Sequence, residues 1–446
     1  TGLYSKLTAE YHHLEEFRRG GDNLDLPPHE AMIAEQTKHG INTGGLKFEW
    51  FSKDQKHRLN AFASVQHINR DSYYGAGMDP NAYGNTLDLT WVGGAQYVYK
   101  FKDCIFMPAD LTAGLEYNED YLRDNMWGYG RQTDQTVRIA SAYAQNEWKN
   151  EKWGILIGGR LDKHNLMDGL IFSPRANIRY NPTENINFRA SYSYGFRAPQ
   201  AFDEDLHIDN VGGTVSMIRL ADDLSVEKSQ SVSISADLYR NWGEWQGNFL
   251  VEGFFTDLDD VFALKEIGFE DGILIKERHN ESGARVFGGN LEGKIAYRNL
   301  FQLQLGLTAQ NSKYKEARSW SDDVEATRDM FRTPDLHGYF TASYNPTKKL
   351  TLALSGTYTG GMLIEHHAGM IDRNMTVKTS PFLDMGFKAA YDFRIYNSFN
   401  LQLNAGIQNI FNSFQKDFDS GADRDSGYMY GPTLPRCFYL GIKLNY

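Results

Sequence analysis

The stretch NINFRASYSYGFRAP, residues 185–199, alternates apolar and polar side chains with a strict period of two. One set of positions holds large apolar groups from Ile186 to Phe196, and the other carries Arg189 and Arg197. Successive side chains of a β-strand point to opposite faces of its sheet. The alternation therefore predicts a strand that is apolar on one face and polar, partly cationic, on the other.

The same period recurs along the whole chain. In the last segment, for example, Phe438, Leu440 and Ile442 alternate with Tyr439 and Gly441. By this test about 18 segments are predicted to be strands, beginning near residues 2, 41, 57, 86, 110, 133, 152, 169, 185, 224, 245, 273, 300, 331, 350, 382, 399 and 436. Helical periodicity competes nowhere for long, which predicts an all-β chain.

Composition excludes several classes of protein. The 446 residues have a mean hydropathy of −0.53, and no apolar run approaches the roughly 18 residues that a membrane helix needs. The net charge is −11 without any basic block, which disfavours a nucleic-acid surface. Cys104 and Cys437 fit neither a disulfide framework nor a zinc site.

The connections between the predicted strands alternate in length. Tight links at 52–57, 148–153, 180–185, 239–245, 344–349 and 396–400 alternate with long polar loops at 18–40, 71–85, 121–135, 198–224, 314–331, 361–381 and 415–435. Outer-membrane barrels have short periplasmic turns and long extracellular loops. Only a closed barrel satisfies backbone groups in lipid without helices. The sequence therefore predicts an antiparallel transmembrane β-barrel in a bacterial outer membrane.

Several longer stretches carry a more specific signal. They are FRRGGDNLDLPPHEAMIAEQ (17–36), FSPRANIRYNPTENINFRASYSYGFRAPQAFDEDLH (172–207), YTGGMLIEHHAGM (358–370), NAGIQNIFNSFQKDF (404–418) and YGPTLPRCFYLGIKLNY (430–446). Together, over essentially the whole chain, they resemble the barrel of a TonB-dependent outer-membrane receptor of the type common in Bacteroidota. The box at 196–199 and the N-x-F-N at 409–412 before the closing strand are the most specific elements.

The resemblance implies more than the barrel. Such receptors have 22 strands around an N-terminal plug domain, so residues 1–446 are expected to be the C-terminal part of a barrel whose plug and about four strands lie upstream. It also implies import of a large, scarce ligand, with energy from TonB pulling on the plug. The expected ligands are a corrinoid such as cobalamin, a haem or a ferric siderophore, and a surface lipoprotein is a further expected partner.

Four arginines are predicted to point into the lumen from two adjacent strands: Arg175, Arg179, Arg189 and Arg197. Like charges in a narrow lumen are unfavourable unless water solvates them or carboxylates neutralise them. One interpretation is a water-filled, anion-preferring pore. The other, which the resemblance favours, is a plug domain with acidic partners.

Outer-loop residues give the candidate ligand contacts. Met362, His366, His367 and Met370 are soft and imidazole groups suited to a metal centre. Flat apolar surfaces for a macrocycle are offered by Tyr73, Tyr74, Met78, Trp127 and Tyr129, unless these belong to the membrane-interface girdle. His207 is a candidate axial haem ligand. Loop packing and solvation are the alternatives for the histidines and methionines.

Two acidic loops suggest calcium, since carboxylates grouped around glycines are the ligands that Ca²⁺ prefers. They are GGDNLD at 20–25 and the segment with Asp417, Asp419, Asp423 and Asp425. Calcium-ordered loops occur in vitamin B12 receptors of the resembled family, which favours a corrinoid as the ligand. A solvated acidic surface is the alternative, and no cofactor is required.

No catalytic motif appears in the chain: it contains neither G-x-S-x-G nor H-E-x-x-H. The sequence therefore predicts that the protein is not an enzyme. Two other classes of function remain open, a passive porin-like channel, since 16 to 18 strands enclose an aqueous pore, and a barrel that holds a lipoprotein over its mouth.

Overall fold

A computed structural model describes residues 4–201, 206, 209–211, 214–396 and 399–445. These residues form 25 β-strands and two short 3₁₀ turns, Pro28–Glu30 and Trp127–Tyr129. No helix among them has the length and apolar character needed to cross a membrane.

The strands of the first half are long. They are β1 (Ser5–Gly21), β2 (Ile33–Phe51), β3 (His57–Ala76), β4 (Tyr83–Cys104), β5 (Met107–Met126), β6 (Arg131–Lys149), β7 (Trp153–His164), β8 (Ile171–Thr183) and β9 (Ile186–Arg197).

The second half mixes spanning strands with shorter loop strands. They are β10 (Asp209–Val211), β11 (Thr214–Leu220), β12 (Glu227–Trp242), β13 (Trp245–Asp259), β14 (Val261–Glu270), β15 (Ile273–Glu281), β16 (Ala284–Tyr297), β17 (Phe301–Arg318), β18 (Thr327–Asp329), β19 (Leu336–Tyr344), β20 (Leu350–Thr359), β21 (Leu363–His366), β22 (Met375–Lys378), β23 (Phe382–Tyr396), β24 (Phe399–Gln408) and β25 (Cys437–Asn445).

One antiparallel sheet of 19 strands forms the barrel wall, and its members follow each other in chain order once the loop strands are left out. Apart from the three-residue β18, it contains 18 strands, so the predicted fold class and strand count are confirmed. Two predicted starts are wrong. The strand expected near 41 is β2, which begins at Ile33. The segment at 273 is β15, which belongs to a loop sheet, and the wall strand begins at Ala284.

The two faces of the wall differ as the alternation predicts. Ser191 of β9 lies between Asn177 of β8 and Ser233 of β12, so one face is continuously polar. The opposite face carries exposed apolar side chains such as Phe188 and Ile234. In an outer-membrane barrel the apolar face contacts lipid and the polar face lines the lumen.

Turn length alternates along the wall. Short turns such as 52–56, 150–152 and 243–244 lie at the periplasmic end, and longer connections lie at the extracellular end. The predicted loops at 18–40, 71–85 and 121–135 are too long, because β3 pairs with β4 as far as Tyr73 and Tyr83, and β5 with β6 as far as Met126 and Arg131. Strands of 19 to 22 residues exceed the 9 to 11 that cross a bilayer, so their paired tips project outward.

The outermost strands of the wall are β1 and β25. Within the described residues, β1 pairs with β2 and β25 pairs with β24, and no pairing joins β1 to β25. Each therefore presents one unpaired backbone edge in this structure.

Candidate ligand-binding site

Two of the extracellular loops build a small sheet over the second half of the wall. Strands β10 and β11 come from the loop after β9, and β14 and β15 from the loop after β13. Strand β11 runs parallel to β15, with Ser216 beside Leu274 and Leu220 beside Arg278. Alternation in the ILIKERH segment sends Lys276 and Arg278 to the same face of β15, because their positions differ by two.

A cavity of about 420 Å³ lies beside this loop sheet. Its lining combines aromatic faces, cations and carboxylates: Phe262, Trp320, Lys265, Lys276, Arg278, Arg318, Glu266, Glu281, Glu365 and His367. We call it the mouth cavity. Aromatic rings with nearby guanidinium and ammonium groups suit a flat, anionic ligand.

The guanidinium group of Arg318 is held in place at the cavity wall. Its Nη1 donates to Oε2 of Glu281 at 3.0 Å, and its Nη2 donates to the hydroxyl of Tyr314 at 2.6 Å. The group also stacks over the Tyr314 ring, 3.9 Å from the centroid. These contacts fix one cation before any ligand arrives.

Glu365 places a carboxyl group in the same cavity. Burial raises the pKa of Glu365, and the positive charges of Lys276, Arg318 and Arg332 oppose that rise. The net direction is upward, so this carboxyl group takes up a proton at a higher pH than an exposed glutamate.

A second group of loop residues adjoins the cavity through His366, which lies between the lining residues Glu365 and His367 in the chain. Nε2 of His366 donates to the Asp419 carboxylate, with both oxygens at 3.0 Å, and the His366 ring stacks on Tyr428 at a centroid distance of 3.6 Å. The hydroxyls of Tyr428 and Tyr430 donate to Asp417 at 2.8 and 2.6 Å. We call these five residues the histidine–tyrosine cluster. It joins the β21–β22 hairpin to the loop between β24 and β25.

Hydrogen bonds within this cluster stabilise the ionised form of Asp417. Burial opposes ionisation of Asp417, but the hydrogen bonds from Tyr430 and Tyr428 outweigh burial and lower its pKa. Burial and the bond to Asp417 raise the pKa of Tyr430 to about 12. Burial and the same carboxylate also raise the pKa of Tyr428, so the cluster holds the Asp417 carboxylate beside two neutral phenols at neutral pH.

Three of the four aspartates proposed for calcium near residue 420 accept hydrogen bonds from protein donors in this structure. Asp417 accepts from two tyrosines, and Asp419 accepts from His366 and from the backbone N–H of Asp425. Asp425 in turn accepts from the backbone N–H groups of His367 and Gly427, while Asp423 is exposed. Among the described residues, no group of three His, Cys, Asp or Glu side chains is placed to hold a metal ion.

The other acidic stretch, residues 20–25, has a structural contact of its own. Oδ1 of Asp22 accepts the backbone N–H of Ile33 at 3.1 Å and so caps the end of the β1–β2 ladder. Asp25 is exposed.

The predicted metal-centre residues lie at different depths in the loop cluster. His366 is buried in the histidine–tyrosine cluster, whereas His367 lines the mouth cavity and contacts Trp320 edge-on at 4.7 Å. Met362 is half-buried, and Met370 is exposed with its sulfur accepting the backbone N–H of Ser420. His207 lies outside the described residues.

The predicted aromatic platform splits into packing residues and exposed ones. Tyr73 is fully buried against Ala31, Ala34 and Ala82, and Tyr74 is buried against Met126. Tyr129 is half-buried and donates to Asp79 at 2.5 Å. Only two of this set, Met78 and Trp127, are exposed, the latter by 69%.

The four arginines lie on the two predicted strands. Arg179 is directly opposite Arg189, Arg175 is opposite Ser193, and Arg197 is opposite Glu227 and close to the Phe262 ring. Carboxylates of the wall lie near two of these arginines. Glu147 and Glu252 line the same hollow as Arg179 and Arg189. The lumen wall thus supplies some of the negative charge that the arginines require.

Sequence reasoning missed most of the mouth cavity. It named His367 but not Arg318 and Trp320, although both lie in a loop that it identified, and it assigned Lys276 and Arg278 to a wall strand. The usable signal was the KERH segment, whose alternating charges do not suit a lipid-facing strand.

The chain belongs to the TonB-dependent receptor β-barrel family. The family described as "TonB dependent receptor-like, beta-barrel" matches residues 11–410. Its members are transporters of the bacterial outer membrane rather than enzymes, and the predicted localisation is confirmed. No curated protein sequence matches the chain.

Several solved structures have a similar fold. The siderophore receptor PirA from Acinetobacter baumannii is 15% identical with a TM-score of 0.69, over 92% of this chain and 67% of that one. A mutant of the ferric enterobactin receptor PfeA from Pseudomonas aeruginosa is 15% identical with a TM-score of 0.70, over 93% and 66%. The ferric-catecholate import receptor Fiu from E. coli K12 is 14% identical with a TM-score of 0.68, over 98% and 72%. The chain thus spans about two thirds of the first two.

Proposed function

We propose that this chain forms the wall of an energised outer-membrane importer whose ligand is an anionic ferric chelate of the siderophore class. The observation that carries the proposal is the mouth cavity, where the aromatic faces of Phe262 and Trp320 lie beside Lys276, Arg278 and Arg318. Cationic side chains attract anionic chelates, and aromatic faces pack on flat ligand rings. The likeness in fold to siderophore receptors supports the same class.

A corrinoid or haem ligand has less support. The corrinoid prediction relied on calcium in the acidic loop, where Asp417, Asp419 and Asp425 already accept hydrogen bonds from protein donors. The haem prediction relied partly on His366, whose Nε2 is committed to Asp419. His367 remains at the cavity and would contact a chelate through its ring edge or its Nε2.

The plug domain and about four further strands, encoded upstream, belong to the same proposal. The unpaired edges of β1 and β25 in the described part of the chain would receive those strands, and TonB would deliver energy through the plug. Expression together with the upstream segment should protect Arg175, Arg179, Arg189 and Arg197 from chemical modification. Unchanged reactivity would count against plug pairing, and copurification of a stoichiometric lipoprotein would add that partner.

The test is a calorimetric and fluorescence titration of the full-length, detergent-solubilised receptor with ferric enterobactin as the probe. Binding should quench Trp320, and Lys276→Gln should weaken binding by about tenfold, the loss expected for one charged contact. Trp320→Phe should remove the quench while calorimetry still detects binding.

Parallel titrations use cyanocobalamin, with and without a calcium chelator, and haemin. Tight binding of cyanocobalamin that weakens on chelation would overturn the chelate proposal in favour of a corrinoid, and tight binding of haemin alone would favour haem. Steady conductance of the full-length receptor in planar bilayers would favour a passive channel.

A further inference from the structure

A groove of about 320 Å³ lies on the outer face of four neighbouring wall strands, β12, β13, β16 and β17. Its lining is mainly apolar: Leu238, Trp242, Phe249, Ile295, Leu303 and Leu305. These side chains share one face of the sheet, since Leu238 pairs with Phe249 and Ile295 with Leu303. All of them except the half-buried Leu303 are exposed, and they alternate with the polar positions of the lumen face, so the groove opens toward lipid.

Of two glycines in the groove, Gly293 leaves the floor open and Gly247 is covered by Trp242. Gly247 lies opposite Arg240 on β12, and Gly293 lies between Phe249 and Leu305. The Trp242 ring covers Gly247 so closely that a Cβ there would lie 2.6 Å from it. At Gly293 a Cβ would meet Leu305 only at 3.7 Å, which leaves the floor of the groove open.

Arg240 is the charged residue of this groove's outer face. The neighbouring positions on the same face of β12 are apolar, from Val232 through Leu238 to Trp242. Arg240 is exposed, and among the described residues its side chain has no hydrogen bond or ion pair. A cation facing hydrocarbon is costly, so its guanidinium group must reach the polar interface.

The depth of the groove is set by the turns below it. Arg240 and Trp242 immediately precede the short turn at 243–244, and Leu303 follows the short turn after Tyr297. Short turns lie on the periplasmic side, where Trp and Tyr rings sit at headgroup level. The groove therefore belongs to the periplasmic leaflet, and Trp245 and Tyr297, with centroids 4.8 Å apart, mark its interface.

We propose that this groove binds one phospholipid of the periplasmic leaflet, with an acyl chain along the open floor at Gly293 and the phosphate on Arg240. The planar fork of a guanidinium group fits phosphate oxygens through two parallel N–H donors. An unpartnered cation at one end and an apolar hollow beside it match the two parts of such a lipid. A lipid-facing arginine that only extends its side chain to the headgroup region would explain the cation. It would not explain the apolar hollow beside it.

The test is native mass spectrometry of the full-length receptor in detergent micelles, titrated with dioleoylphosphatidylglycerol. One lipid should remain bound at activation energies that strip nonspecific lipid. Arg240→Gln should weaken its binding by about tenfold, as expected for loss of a charge-assisted contact. Gly293→Leu should abolish it by filling the hollow.

Two matched variants serve as controls. Gly253→Leu adds a leucine on the lipid face of β13, where a Cβ meets nothing within 4 Å. Lys388→Gln removes a positive charge from the lumen face of β23, outside the groove. Both should retain the lipid. The proposal is overturned if wild-type protein retains no phospholipid, if the controls lose it equally, or if both groove variants keep it.

Discussion

The two halves of the chain differ in the structure of their extracellular ends. In the first half, β2 to β6 run for 19 to 22 residues, and β3–β4 and β5–β6 stay paired almost to their tips. In the second half, β19, β20, β24 and β25 have 9 or 10 residues, and the loops above the wall fold into separate small sheets. Backbone groups must find partners wherever water is excluded. The mouth cavity lies in the second half, where the wall strands end early. The backbone groups of the loops there pair with other loops instead of extending the wall.

The largest expected effect is on the first half, through Asp124→Ala. Asp124 is 1% exposed and lies 2.6 Å from Arg131 and 3.8 Å from Arg70. Removing a carboxylate shared by two buried guanidinium groups should destabilise the strand tips by about 3–5 kcal/mol. Hydrogen exchange of the full-length receptor should show faster opening at the tips of β3 to β6 and no change in the second half.

The control for this variant is Asp134→Ala, which breaks the exposed pair between Arg123 and Asp134 at 3.2 Å. It should cost no more than about 1 kcal/mol. Equal effects of the two substitutions would show that the tips are held by ladder pairing alone.

His366→Phe addresses the second half and should have the next largest effect. Phenylalanine keeps the stack on Tyr428 but leaves the buried Asp419 carboxylate without its imidazole donor. We expect a loss of about 2 kcal/mol in local stability. Exchange should accelerate in residues 363–378 and 409–436.

The matching first-half variant is His29→Phe, which removes an exposed contact with the Tyr83 hydroxyl. Its effect on exchange should be slight. If His29→Phe loosens its loop as much as His366→Phe does, the contrast between the two halves fails.

Acid should loosen the histidine–tyrosine cluster when Asp417 takes up a proton. Because the pKa of Asp417 is lowered in the folded protein, its contribution is present above the unfolded value of about 3.9 and is lost as pH falls through the folded value. Trp320 fluorescence, followed from pH 7 downward, should report the change, and Asp417→Asn should flatten that part of the profile. An identical profile in the variant would exclude Asp417 as the responsible group.

The smallest effect is expected at Glu365, whose pKa is raised by burial. Glu365→Gln removes a negative charge from the mouth cavity and should strengthen binding of ferric enterobactin by about threefold. Wild-type affinity should rise as pH falls through the pKa of Glu365, because protonation removes the same charge. Glu270→Gln, at the exposed carboxylate paired with Arg219 outside the cavity lining, is the control and should leave affinity unchanged. Weaker binding by Glu365→Gln would contradict an anionic ligand.

The alternation of apolar and polar residues correctly predicted where most strands lie, because it is a local property of the chain. The segment at 185–199 is β9 with its polar and apolar faces as predicted, and 17 of the 18 wall strands follow from the same test. It failed at 273, because β15 also alternates but pairs with β11 and β14 in a loop sheet. Period two identifies a strand without identifying the sheet that receives it.

The candidate site was predictable only in part. His366 and His367 were named as one soft, imidazole set, yet the structure turns one toward Asp419 and the other toward Trp320. Those partners lie 53 and 47 residues away in the chain, and no spacing rule connects them.

By itself, the sequence determined the all-β wall, the lipid and lumen faces and the outer-membrane location, because these depend on side-chain alternation and on loop length. Only the tertiary structure decided which loops meet. It placed Phe262, Lys276, Arg318 and Trp320 around one cavity. It also placed Gly293 and Arg240 in one groove on the lipid face. Contacts between distant segments depend on register and loop packing, which local patterns do not encode.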